Sequence, residues 1–452
     1  MNFPKGFVWG AASASYQVEG AAYEGDKGLS VWDAFSRQPG KTWQGETGAV
    51  ACDHYHHYKE DVALMKGIGL QAYRFSVSWP RVMPTGTHAI STQGLDFYDR
   101  LTDELLAAGI EPWVTLFHWD YPNDLFLRGG WLNPESPRWF ADYTEVVVKK
   151  LSDRVTHWMT LNEPQCFIGI GHDQGGHAPG LKLGRADCLL AAHHVMLAHG
   201  LGVQVIRAHA ARKALVGWAP VGMAGIPASN SPEDLAALHQ HVFRVGKGFL
   251  WNNAWWGDPV VLGHYPEAGL RAFGKDVPKF TDLDMQTIRQ PLDFYGANIY
   301  GSPLIRATPD GGYVEETYHE GYPQTHSYWE MTPESLYWGP KLLHERYKLP
   351  IVVTENGMSN ADWVSLDGRV HDPQRIDMLH RYLLQLDRAL SEGVDVRGYF
   401  HWSIMDNYEW ADGYKQRFGL IHVDYPTQKR TPKDSSRWYA EVIRTHGESL
   451  KC

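Results

Sequence analysis

Two glutamates stand where a chain folded only for stability would not put them. Glu355 follows the run Ile351-Val352-Val353-Thr354 and precedes Asn356-Gly357, where the chain must turn. Glu163 repeats the design, with Trp158-Met159-Thr160-Leu161 running into Asn162-Glu163-Pro164. Short apolar runs of this kind read as buried parallel strands. A carboxylate at the C-terminal end of such a strand projects into the crevice where α/β proteins do their chemistry. Two of them facing one bond are the parts needed to cleave a glycosidic linkage.

The elements that must position these glutamates form an alternation of strand-like and helix-like segments along the whole chain. Strands are predicted near residues 7–11, 72–77, 113–116, 158–161, 214–218, 294–298, 351–353 and 397–400. Helices are predicted from about Asp53, around Leu95 to Leu105, from Pro137 toward Leu151, over Leu189 to Ala211, from Pro232, over Pro333 to Tyr347, from an Asp372-Pro373 cap, and from near Asp434. Tyr55, Tyr58, Val62 and Met65 on one helix and Ile376, Leu379, Leu383, Leu386 and Leu390 on another recur at helical spacing. Links from helix to strand are short, whereas the loops after strands one, four, six and eight are long, which places the working end at the strand C-termini. The pattern predicts an α/β fold: a single (β/α)8 barrel catalytic domain over residues 1–452, with residues 255–291 unassigned.

Composition narrows the partners. Lys plus Arg number 42 against 52 for Asp plus Glu, a formal charge of −10 without a basic run, which argues against nucleic acid. No stretch reads as the roughly 18 apolar residues of a membrane span, and Met1-Asn2-Phe3-Pro4-Lys5-Gly6 lacks the pattern of a signal peptide. Cys52, Cys166, Cys188 and Cys452 are scattered, fitting neither a disulfide scaffold nor a zinc site. A cytoplasmic enzyme is the expectation, acting on a small molecule without nucleic acid or membrane partner; a homo-oligomer is compatible with it. The 19 Trp and 23 Tyr suit a sugar site, although any single ring more often packs than binds.

Seven stretches then carry a resemblance over nearly the whole length: Phe3 to Gly10 with Ser15 to Gly20, Tyr73 to Arg81, Phe117-His118-Trp119-Asp120, Thr160-Leu161-Asn162-Glu163-Pro164, Val353-Thr354-Glu355-Asn356-Gly357 and Asp406-Asn407-Tyr408-Glu409-Trp410. In this order, each near a predicted strand end, they resemble the β-glucosidases of glycoside hydrolase family 1. The resemblance implies a retaining mechanism with Glu355 as nucleophile and Glu163 as general acid/base, and neither cofactor nor metal. Arg74, Asn298 and Tyr300 look like the partners that keep Glu355 ionised. Gln17, His118, Asn162, Glu409 and Trp410 resemble the residues that hold the hydroxyls of the non-reducing-end sugar, with Trp402 the platform beneath it. Trp119 and Phe418 line that pocket, and Trp329 resembles the aromatic wall of the leaving-group site.

The same comparison narrows the substrate. Glu409 stands where members acting on 6-phosphorylated sugars carry a serine, and a carboxylate there would repel a phosphate dianion. The intact Glu163 favours O-glycosides over thioglycosides. Terminal non-reducing β-D-glucosyl residues of cello-oligosaccharides or aryl and alkyl glucosides are the expected substrate; galactosidase, fucosidase or transglycosylase activity in the same site, and a non-catalytic sugar-binding barrel, are the competing readings. Departures are Asn298-Ile299-Tyr300, where the family often has Asn-Tyr-Tyr, together with His401 and the segment 319–327. The cluster His54-Tyr55-His56-His57 lacks a converging carboxylate set and is not expected to hold a metal.

Overall fold

The computed structural model describes residues 1–246 and 250–451; Cys452 lies outside the described residues. All eight expected strands form: β1 (Val8–Ala12), β2 (Ala72–Ser76), β3 (Glu111–Phe117), β4 (His157–Asn162), β5 (Leu215–Ala219), β6 (Tyr295–Asn298), β7 (Ile351–Asn356) and β8 (Val396–Trp402). They pair in parallel in the order β5-β4-β3-β2-β1-β8-β7-β6. Between β5 and β6 individual bonds replace a ladder: Asp293 N–H to Val216 C=O (2.8 Å), Asn298 N–H to Pro220 C=O (3.0 Å) and Gly222 N–H to Asn298 C=O (2.8 Å). The strands thus nearly close into a barrel flanked by helices, a TIM barrel.

The barrel interior is packed with rings. Trp113 lies 4.9 Å from Phe400 and 5.6 Å from Phe294 between ring centres. Gly10 and Gly217 make room for them, since a Cβ at either would fall 2.5 Å from the Phe400 or Phe294 ring. Above this packing the register breaks where the glutamates emerge, between Val353 and Glu355 on β7 and between Met159 and Asn162 on β4. Irregularities of this kind re-aim side chains beside active sites.

Helices follow the strands as His54–Ile68, Thr92–Ala107, Ser136–Leu151, Arg185–His209, Pro232–Phe243, Ser335–Tyr347, Pro373–Ser391 and Asp434–Arg444. Two expectations need correction. The helix Arg185–His209 does contain an 18-residue window long and apolar enough to span a membrane; 72% of that window is buried within the fold, against the 136–151 helix among others, so its apolarity serves packing. Asp372 does stand at the N-cap of the 373–391 helix, but its side chain makes no cap bond: the carboxylate is drawn instead to the Arg375 guanidinium and to the Ser435 N–H (2.8 Å). The histidines at 54–57 do have carboxylates beside them. His54 meets Asp61 (2.7 Å), His56 meets Asp53 (2.6 Å) and Glu24 (3.1 Å), and His57 meets Glu60 (3.0 Å) and, more distantly, Asp53 (3.8 Å); among the described residues no group of three or more His, Cys, Asp and Glu is set to hold a metal.

The unassigned 255–291 stretch folds as short helical pieces, including Glu267–Phe273 and Asp282–Ile288. The long loop after β6 carries a small sheet in which Leu304–Ala307 pairs with Ile226–Pro227 and Tyr313–Glu316. The loop after β8 is tied from behind by buried charge. Lys433 Nζ lies 2.6 Å from both Asp362 and Asp406, Arg417 lies 2.7 Å from Asp406, and Arg375 lies 2.7 Å from Asp362. With Asp372 the cluster matches three cations to three carboxylates, so no charge is left unpaired in a dry site.

Candidate active site

A cavity of about 680 Å³ opens where the strands end, and eleven of the fourteen predicted site residues line it: His118, Trp119, Glu163, Asn298, Tyr300, Trp329, Glu355, Trp402, Glu409, Trp410 and Phe418. Arg74, Asn162 and Gln17 sit just behind this wall. Arg74, fully buried on β2, donates from Nη1 to Glu355 Oε1 (2.6 Å) and from Nη2 to Asn162 Oδ1 (2.6 Å). Guanidinium only donates, which fixes the Asn162 amide; its Nδ2 then donates to His118 Nε2 (3.0 Å).

Asn298 ends β6 directly opposite Glu355 in register, yet its closest carboxylate contact is with the other acid. Its Oδ1 accepts from Thr354 Oγ1 (2.6 Å), so Nδ2 faces Asn162 Oδ1 (3.0 Å) and Glu163 Oε1 (2.9 Å). The sequence pairs Asn298 with Glu355, which its amide does serve; the Thr354 hydroxyl orients that amide so that it reaches Glu163 as well. Tyr300, two residues on, donates to Glu355 Oε2 (2.9 Å).

The two acids therefore have unequal surroundings. Burial first, then the negative charge of Glu355, pushes Glu163 up to about 8, with hydrogen bonds from Asn298 and Cys166 pulling it back. Burial raises Glu355 as well, but the Arg74 guanidinium and hydrogen bonds from Arg74, Tyr300 and Asn298 oppose the rise. Glu409 is a third buried acid, pushed to about 8 by burial, then by Asp412 and Glu355. His118 is held well below its usual range by burial and by Arg74, so it is a neutral ring.

Around the acids the inner pocket is aromatic and tightly held. Trp119 and Trp410 approach to 4.4 Å between centres, and Trp119 Nε1 donates to the Asn162 carbonyl (3.0 Å). Gln17 Nε2 is shared among Asn407 Oδ1 (3.0 Å), Tyr408 C=O (2.9 Å) and Glu409 Oε2 (3.2 Å), while its buried Oε1 has no protein partner. Glu163, Trp119 and Trp410 have φ of 42°, 77° and 51°, left-handed values that non-glycine residues adopt when surrounding structure enforces them. Toward the mouth the wall changes to Trp329, Trp251, Tyr318, Met223 and the glutamates 315, 316 and 330. Of these the sequence reading found only Trp329; the rest ride on the small sheet (Glu315, Glu316), on the loop that follows it (Tyr318, Glu330) and on the chain after β5 (Met223, Trp251), none of which has a clear periodic signal. Cys166, also missed, contacts Glu163 from within the wall. Its position three residues after Glu163 was the available clue.

A barrel whose strand ends bring two unequal carboxylates under an aromatic wall is built to break a sugar's glycosidic bond. A family model for glycosyl hydrolase family 1 matches residues 1–448, and the chain belongs to that family. β-Glucosidase A of Thermotoga maritima is 42% identical over 99% of this chain and 98% of its own length. A bifunctional β-D-glucosidase/β-D-fucosidase of Bifidobacterium breve is 41% identical over 99% of both. The solved structure of the Thermotoga maritima β-glucosidase in complex with glucoimidazole superposes with a TM-score of 0.91 at 42% identity, covering 98% of this chain and 99% of that one.

Proposed function

We propose that the chain is a retaining, exo-acting β-glucosidase that releases terminal non-reducing β-D-glucosyl residues through a covalent glycosyl-enzyme. Glu355 is the nucleophile: Arg74 and Tyr300 stabilise its charge before attack. Glu163 is the acid/base. Its raised pKa keeps a proton at neutral pH, which it passes to the departing glycosidic oxygen. Once Glu355 is esterified its charge is gone, the repulsion that held the proton on Glu163 falls, and Glu163 accepts a proton from the water that frees the sugar. The observation that carries this assignment is the inequality between the two acids, one with a guanidinium at 2.6 Å and the other with only neutral donors.

Gln17, His118, Asn162, Glu409 and Trp410 serve to hold the glucosyl hydroxyls over Trp402, with Trp119 and Phe418 beside it and Trp329 against the leaving group. Cello-oligosaccharides and aryl or alkyl glucosides are the substrates, with breakdown of cellulose-derived sugars as the physiological role. The reading is of one catalytic barrel domain working in the cytoplasm; the free, buried thiols of Cys52, Cys166 and Cys188 suit a reducing compartment. A fucosyl activity in the same pocket is the second reading, favoured by the bifunctional relative.

An activated 2-deoxy-2-fluoro-β-glucoside should leave one adduct per chain, located by peptide mass spectrometry on Glu355. Labelling of another residue, or turnover without any adduct, overturns the nucleophile assignment.

A further inference from the structure

Cys166 takes no part in the mechanism just given, yet its sulfur lies 3.1 Å from Glu163 Oε2. The Cys166 N–H also bonds to the Glu163 carbonyl (2.9 Å), so a single turn of chain brings thiol and carboxyl side by side within the cavity wall. The rest of the network fixes what the thiol can do. Thr354 orients the Asn298 amide so that its N–H serves Glu163 Oε1, and the sulfur is the group that meets Oε2. Burial first, then the charges of Glu163, Glu355 and Glu409, hold Cys166 far above the ordinary thiol range. The group is therefore S–H, a neutral donor and not a nucleophile.

We propose that Cys166 is a positioning residue for the acid/base: its S–H donates to Glu163 Oε2, holds that carboxyl in place and favours its charged form. The inference rests on the assignment of Glu163 given above. A carboxylate oxygen is a stronger acceptor than a carboxylic acid, so the bond strengthens when Glu163 gives up its proton to the leaving group. It is then in place while Glu163 acts as base on water. Other groups act on the same carboxyl: Glu355 on β7 opposes its ionisation, while Arg74 on β2 and Asn298 on β6 favour it. Glu409 from the loop after β8 and Tyr300 beyond β6 belong to the same electrostatic cluster.

The test is the alkaline limb of the kcat/KM profile for an aryl β-glucoside, which reports loss of the acid proton. Removing the donor in Cys166→Ala and Cys166→Val should move that limb up by about 0.4 to 1 pH unit, the worth of one modest hydrogen bond. Cys166→Ser, with a better donor, should leave it in place or move it down. An unmoved limb in the Ala and Val variants, or a Ser variant that shifts upward with them, overturns the proposal; with three variants, loss of folding in one leaves the others to decide. Glu163→Gln in the same assay separates the two levels. A limb that vanishes there but stays still in the Cys166 series defeats only the thiol's role, whereas a limb that persists in Glu163→Gln defeats the assignment of Glu163 itself.

Discussion

The inner and outer halves of the cavity are built to different rules. Inside, Arg74 within β2 and Asn162, Asn298, Glu163 and Glu355 at or just past strand ends are at most 8% exposed, each fixed by at least one charged or amide partner. Outside, Trp329 and Tyr328 are 40% and 73% exposed and ride on the long loop after β6. The inner set is tied to the sheet, so its geometry is as rigid as the barrel. The outer set can change with little effect on the barrel. On the function proposed above, the difference separates chemistry from selectivity: bond cleavage belongs to the buried residues of the strands, and the choice of leaving group to a more exposed loop.

Substitutions can break that contrast. The largest effect is expected for Glu355→Gln, which keeps the shape of the side chain and removes the attacking charge: kcat should fall by on the order of 10^4-fold or more, measured on an aryl glucoside. Glu163→Gln comes next, and its effect should depend on the substrate. An alkyl glucoside, whose leaving oxygen needs a proton, should lose about 10^2- to 10^4-fold, while formation of the glycosyl-enzyme from a dinitrophenyl glucoside should change little. Equal losses on both substrates would mean that Glu163 does not act as the acid. The smallest effect is expected at the rim, where Trp329→Ala should lower kcat/KM for aryl glucosides by about 2- to 12-fold, chiefly through KM. A loss a thousand times larger would show that the outer wall takes part in the chemistry and would end the distinction.

The strands were legible from sequence because their interiors are buried on both sides and read as apolar runs closed by turns, as with Ile351-Val352-Val353 before Glu355. The acids were legible because a carboxylate at such a strand end has no packing role. What could not be read depends on contacts between distant residues. Asn298 was expected beside Glu355 and serves it, but its second tie, to Glu163, depends on the Thr354 hydroxyl that orients its amide, a pairing invisible in sequence. Asp372 has the residue type of a helix cap but is claimed by Arg375 and Ser435. Cys166 looks like ordinary core filler until Glu163 is seen beside it. The apolar window of the helix Arg185–His209 was overlooked in the sequence; a core helix covered by its neighbours can match a bilayer-spanning segment in length and apolarity.

This cylinder of strands has a seam between β5 and β6, where separate bonds do the work of a ladder. Asn298 contributes its backbone N–H and C=O to that seam and its side chain to Glu163. The least continuous join in the wall and a hydrogen-bond donor to Glu163 are thus one residue. Any drift of the seam is transmitted directly to the acid, so the chain on either side of it answers to turnover as much as to folding.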